Sequence, residues 1–144
     1  MPHTYSENLV HCVFSSKERV SLIPTYRLEP LWAYLFGIAK NEGLNLIAAG
    51  GITNHTHLLL ALPPTVTLSY AVQELKGNSS RWMGTGFSWQ QGYGAFSVGA
   101  SQLATVKEYI RNQAEHHKKR TFEEEFITLL KSYDIEYDPQ WVFD

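Results

Sequence analysis

The chain has 144 residues, enough for one domain of ordinary size and too few for two, so residues 1–144 are expected to form a single domain. Its 44% hydrophobic and 18% charged residues are those of a soluble globular protein and exclude a disordered chain. The net charge of −2 argues mildly against a nucleic-acid partner, but from Lys76 to Arg120 seven basic residues face two acids, so a basic face can hide in the total.

Asn8 to Phe14, rich in β-branched and aromatic residues, predicts a first strand. Its Cys12 is the only cysteine, which excludes an internal disulfide and a cysteine-based zinc cluster and fits a reducing cytoplasm. After a charged loop, Leu28 to Asn41 predicts a helix. Leu28, Leu31, Trp32, Leu35, Phe36 and Ala39 recur at helical spacing, Pro30 falls in the first turn, and Gly43 stops the run. Leu44 to Ile52 predicts a second strand, bulged or bent at Gly50-Gly51, and His57 to Leu62 a third, stopped by Pro63-Pro64. Thr67 caps a second helix running to about Lys76. Gly84 to Gly94 predicts a loop, and Tyr93 to Val98 a short fourth strand. Ser101 caps a third helix running to about Lys119, and Thr121 with Glu124 forms a capping box for a last helix through Leu130.

The order β-α-β-β-α-β, followed by two helices, matches the split βαβ pattern. The expected fold is α+β: a ferredoxin-like antiparallel sheet with helices on one face, plus C-terminal helices. No apolar run approaches the roughly 20 residues that cross a bilayer. The first residues also lack the charged-then-apolar layout of a signal peptide, so a cytoplasmic protein is expected.

Asn54-His55-Thr56-His57 carries the first chemical signal. Side chains two apart on a strand share a face, so His55 and His57 present two imidazoles side by side. Such a pair can begin a divalent metal site, with at least one protein ligand still to find. It is also a short pattern that arises by chance on solvent-facing strands.

The second signal lies on the third helix. Leu103, Val106, Ile110 and Ala114 form an apolar stripe, with Tyr109, Gln113 and His116 beside it. A phenol, an amide and an imidazole at the edge of a packed face can look into a cleft. A tyrosine hydroxyl is a weak nucleophile, but a metal that polarises a phosphoryl oxygen assists its attack on phosphorus. Two histidines and one amide oxygen could hold that metal. Taken alone, Tyr109 reads equally as an amphipathic anchor at the core edge.

Together these residues resemble the single-tyrosine HUH transposases of bacterial insertion sequences, the IS200-like transposases. In that family two histidines flank one residue on a central strand, and a downstream helix carries a tyrosine followed four residues later by a glutamine. The matching residues are His55 and His57, then Tyr109 and Gln113, and Gln73 to Trp82 and Trp89 to Ser97 also resemble the family. The resemblance implies a homodimer that cuts single-stranded DNA beside hairpins at the ends of a mobile element. It implies Tyr109 as nucleophile, forming a 5′-phosphotyrosine link and freeing a 3′-hydroxyl that a second strand's end later resolves. It implies Mg²⁺ or Mn²⁺ held by His55, His57 and Gln113, in a protein bound at the nucleoid when on DNA and without membrane partners.

One departure is Thr56, which stands where the family carries a bulky apolar residue. An unpaired buried hydroxyl costs roughly 1–3 kcal/mol, so either Thr56 bonds a neighbouring backbone group or the strand sits differently, and Thr56→Val is expected to leave folding intact or raise the melting temperature. Lys76, Arg81, Lys118, Lys119 and Arg120 are candidate contacts to DNA phosphates; a solvated helix end explains the last three equally well. His116 could reach the metal or a phosphate, and His11 is expected to pack rather than join the histidine pair. Two other functions remain open: a single-stranded nucleic-acid binder of the same fold without catalysis, and a two-histidine hydrolase using water. The intact Tyr109, His55, His57 and Gln113 set argues against the first, and Tyr109→Phe separates the second.

Overall fold

Strand β1 (Leu9–Ser15) is buried along its whole length, and β3 (His55–Ala61) is buried up to its last residue. They form the centre of a four-stranded antiparallel sheet in the order β2-β3-β1-β4, with β2 (Asn45–Ile52) and β4 (Gly94–Val98) at the edges. The structure is a computed structural model that describes residues 3–143.

Strand alternation divides the core in two. Val10, Cys12, Phe14, Leu58 and Leu60 face α1 (Leu28–Asn41) and α2 (Leu68–Met83). Leu9, Val13 and Leu59 face the other way, toward α3 (Leu103–Arg111) and α5 (Phe122–Ser132). Both faces are therefore covered, which is why the central strands are buried almost without interruption. Cys12 lies deep in the first core, where burial pushes its thiol up to about 12.

Several boundaries differ from the sequence expectation. Strand β3 begins at His55, two residues early, and so includes both histidines. Helix α2 continues to Met83 through Gly77-Asn78-Ser79-Ser80, a run of weak helix formers. Tertiary bonds carry it: the Trp89 indole N–H donates to Ser79 Oγ at 2.9 Å, and the Trp82 ring stacks on Tyr34. The expected helix from Ser101 to Lys119 is instead a 3₁₀ turn (Ala100–Gln102), α3, and a short α4 (Gln113–His116). Asn112, at φ −98° and ψ 24°, separates the two helices and donates its side-chain amide to Glu108. The capping box at Thr121 and Glu124 forms as expected.

The strand irregularity falls between Leu46 and Ala48 rather than at the glycine pair. Gly50 and Gly51 serve close approach instead. A Cβ on Gly50 would collide with the backbone carbonyl of Ile110 on α3, and Gly51, at φ +153°, lies against the carbonyl of His55. Beyond α5, Tyr137, Val142 and Phe143 pack on the Phe126 cluster, and the Arg19 guanidinium sits 4.8 Å from the Phe143 ring centroid.

Candidate metal centre and nucleophile

His55 and His57 point from β3 toward the α3–α5 layer, and both are fully buried. Three further groups converge on them: Gln113 from α4, His117 just beyond it, and Glu125 from α5. His57 Nε2 lies 2.9 Å and His117 Nε2 3.1 Å from Glu125 Oε1, with His55 Nε2 at 3.4 Å. Gln113 Oε1 lies 2.9 Å from His55 Nε2 and 3.1 Å from His117 Nε2.

The outward-facing nitrogens fix what the inner ones can do. His55 Nδ1 lies 2.9 Å from Asn54 Oδ1, whose amide group is oriented because Nδ2 donates to the Arg19 carbonyl. His117 Nδ1 lies 2.9 Å from the Arg120 carbonyl oxygen. Both partners only accept, so both rings carry a proton on Nδ1, and a neutral ring then offers a lone pair at Nε2. His57 Nδ1 is held by His11 Nε2 at 2.8 Å. Lone pairs and acceptor oxygens thus face one another at the centre, an arrangement that suits a cation. The ligand atoms of His55, His57 and Glu125 all lie within 4.8 Å of one another. The donor set and its oriented outer bonds fit a divalent metal.

Burial, with His57 alongside, pushes the His11 imidazole down to about 3. Burial lowers His57 to about 4 against the raising pull of Glu125, so His57 is neutral near pH 7. Burial pushes the Glu125 carboxyl up, but the surrounding imidazoles of His117, His55 and His57 outweigh it, because each favours the carboxylate whenever it carries a proton toward it, and the group is held below the usual carboxylate range.

The Tyr109 hydroxyl donates to Glu125 Oε2, and Gln113 Nε2 donates to the same oxygen at 3.0 Å. The two carboxylate oxygens therefore face different groups: Oε1 the imidazoles, Oε2 the phenol and the amide. Arg120 Nη2 donates to Tyr109 Oη at 3.3 Å. Burial, then the bond to Glu125 and its charge, hold the phenol above its ordinary value, and Arg120 opposes them. Tyr109 also lines an open groove with Glu108, Asn112 and His116.

The structure brings His55, His57, Gln113 and Tyr109 together. His116 does not join the centre; its ring lies 4.7 Å from that of Tyr109. Its place on the Gln113 stripe belongs to His117, four residues on from Gln113. Lys118, Lys119 and Arg120 line a second groove beside the centre, and Lys118 pairs with Glu115 at 2.9 Å. Lys76 and Arg81 lie on α2, across the sheet. Lys76 spends its ammonium on the carbonyls of Gln90 and Gly92 at 2.6 and 2.7 Å, and Arg81 bonds Asn78. Thr56 faces the α1–α2 core, where its hydroxyl donates to the Gly50 carbonyl at 3.1 Å, so it bonds a neighbouring backbone group and the cost of an unpaired hydroxyl does not arise.

Sequence reasoning missed Glu125, His117 and Asn54, and His11, expected to pack away from the histidine pair, instead bonds His57 at 2.8 Å. The spacing of Gln113 and His117 was a usable signal. Glu125 read as one of three acids in a helix's first turn, with nothing local to set it apart.

The family model described as "Transposase IS200 like" matches residues 4–113. The transposases for insertion sequence element IS200 of Salmonella typhimurium and Salmonella typhi are each 26% identical over 129 residues, spanning 82% of this chain and 84% of theirs. A solved protein of Deinococcus radiodurans R1 described as a transposase superposes with a TM-score of 0.64 at 26% identity, over 78% of this chain and 95% of that one. A REP-associated tyrosine transposase bound to a REP hairpin has a TM-score of 0.65 at 16% identity, covering 96% and 91%, a likeness of fold.

Proposed function

The chain belongs to the IS200-like transposase family, and we propose that it nicks and rejoins single-stranded DNA at the hairpin-bearing ends of an insertion sequence, with Tyr109 as nucleophile. The observation that carries this reading is the hydrogen bond from Tyr109 to Glu125, because the same carboxylate faces the imidazoles on its other side. A phenol coupled in this way to a cation-shaped cluster is arranged for attack on a phosphodiester.

His55, His57 and Gln113 would hold Mg²⁺ or Mn²⁺, with Glu125 completing the set. A divalent cation there supplies Lewis-acid polarisation of a phosphoryl oxygen and stabilises the charge that develops on it. The rest falls to the chain's own groups. Tyr109 Oη bonds to phosphorus as the bond from phosphorus to the 3′-oxygen breaks, and its proton passes to Glu125 Oε2. The 3′-oxygen takes a proton from water and leaves as a hydroxyl, while the 5′-phosphate stays on the tyrosine. Attack by a second strand's 3′-hydroxyl reverses the step and rejoins DNA without an outside energy source. Arg120, already at the phenol oxygen, supplies positive charge where the phosphate must sit. Lys118 and Lys119 lie beside the same groove, where they suit backbone phosphates.

A hairpin partner is supported by the REP-associated relative, which is bound to one. We further propose a homodimer, checked by the mass in solution. The buried Cys12 suits a cytoplasmic protein, and no helix among the described residues is long and apolar enough to cross a membrane.

The test mixes the protein and Mn²⁺ with single-stranded DNA from both flanks of its gene and looks for a covalent protein–DNA band on a denaturing gel. The wild type should give the band and Tyr109→Phe should not. A native gel shift without any covalent band would instead mark a binding protein without catalysis. A cut without a covalent band, unaffected by Tyr109→Phe, would mark hydrolysis by water.

A further inference from the structure

We propose that His117 is a third imidazole ligand of this centre, which therefore takes a transition-metal ion such as Mn²⁺ or Co²⁺ in preference to Mg²⁺; this rests on the reading that His55 and His57 hold a metal.

Three observations place His117 on equal terms with the strand pair. Its Nε2 lies 3.1 Å from Glu125 Oε1, between the 2.9 Å of His57 and the 3.4 Å of His55. It also lies 3.1 Å from Gln113 Oε1, so it shares two oxygens with His55. Its side chain is only 4% exposed, which sets it apart from Lys118, 67% exposed, in the same basic run.

The outer nitrogen gives an independent argument. Metal-binding histidines donate their other N–H to a carbonyl or carboxylate, which fixes the tautomer and aims the lone pair. His117 Nδ1 meets the Arg120 carbonyl at 2.9 Å, the counterpart of the His55 bond to Asn54. A histidine serving only as a cation for DNA would need neither the burial nor the inward lone pair. The i, i+4 spacing from Gln113 puts the amide and the imidazole on one face, so a single turn supplies both.

The ion follows from the donors. Three imidazole nitrogens, one amide oxygen and one carboxylate oxygen make a nitrogen-rich set. Mg²⁺ favours oxygen donors in an octahedral shell and retains water, whereas first-row transition ions take imidazole more readily, Mn²⁺ least among them and Co²⁺ more so.

The experiment loads the full chain with Mn²⁺ and counts coordinated imidazole nitrogens by electron spin echo, alongside Mn²⁺ and Mg²⁺ titrations of wild type and His117→Gln. The wild type should show three nitrogens and His117→Gln two, with Mn²⁺ affinity reduced about tenfold or more. Mg²⁺ should bind the wild type far more weakly than Mn²⁺, and the variant should narrow that gap. Two nitrogens in the wild type would overturn the proposal while leaving the two-histidine metal reading intact. No Mn²⁺ binding by folded wild type would overturn both. The wild-type count decides the matter even if the variant fails to fold, and it separates a ligand from a residue that merely positions Glu125.

Discussion

The backbone carbonyl of Ile110 stands where a side chain on Gly50 would begin. The tyrosine helix therefore lies directly on β2, and Tyr109 inherits its position from that approach. Gly50→Ala should push α3 off the sheet, costing roughly 1–3 kcal/mol and most of the covalent DNA adduct. Gly37→Ala is the control: it lies within α1 with open space around it, and should hold or raise stability. Thermal melts and the adduct gel read both, and a Gly50→Ala protein as stable and active as wild type would refute the argument.

Thr56→Val should destabilise the protein by roughly 1 kcal/mol. The hydroxyl donates to the Gly50 carbonyl inside the core, and valine leaves that oxygen without its partner. This reverses the expectation drawn from the sequence. A urea melt decides it, and a valine variant at or above wild-type stability would sink the prediction.

Acid should weaken the metal-free fold. His57 and His11 are pushed down to about 4 and about 3 from the 6.5 of a free imidazole. As pH falls below 6.5, the unfolded chain binds protons that the folded chain refuses, so stability drops through about 4 for His57 and on to about 3 for His11. Glu125, held below its usual range, acts in the same direction below 4.5. Denaturation with a chelator at about pH 7 and about pH 5 should show the fall, and equal stability would count against it.

Glu125→Gln should keep the fold and lose the chemistry. The amide can still bond a neighbouring imidazole, but it cannot take the Tyr109 proton. Adduct formation should slow by roughly 10²–10⁴, while gel-shift affinity for the same DNA stays near wild type. Unimpaired adduct formation would remove Glu125 from the proton path.

Asn54→Ala should weaken Mn²⁺ binding by roughly ten- to a hundredfold, because Asn54 Oδ1 aims the His55 ring. Calorimetric titration of the folded variant checks this, and unchanged affinity would mean the ring is aimed by packing alone.

The sheet was legible because its signals are local. Hydrophobic runs, the Pro63-Pro64 stop and the Thr121–Glu124 capping box each act within a few residues. His55 and His57 were legible for the same reason, since strand alternation alone puts them on one face. The helix break at Asn112 was not. It turns on a backbone angle and a side-chain bond to Glu108, and it moved the partner of Gln113 from His116 to His117. Glu125 was the hardest to see, because its meaning comes from groups far away in the chain, and His11 was seen but read as packing, since only the pairing of β1 with β3 brings it to His57. Lys76 shows the same limit: its ammonium bonds two loop carbonyls, a tie that no local pattern announces.

The order of the converging groups along the chain has a consequence for synthesis. His55 and His57 leave the ribosome first, then Tyr109 and Gln113, and Glu125 emerges last of the set. Domains made from the N-terminus onward can begin to fold before they are finished, so the sheet can form while Tyr109 still lacks the carboxylate that faces it. The centre closes only when α5 arrives. A nascent chain paused before residue 125 would carry Tyr109 without the carboxylate that faces it, and on the proposed mechanism would cut DNA slowly at best.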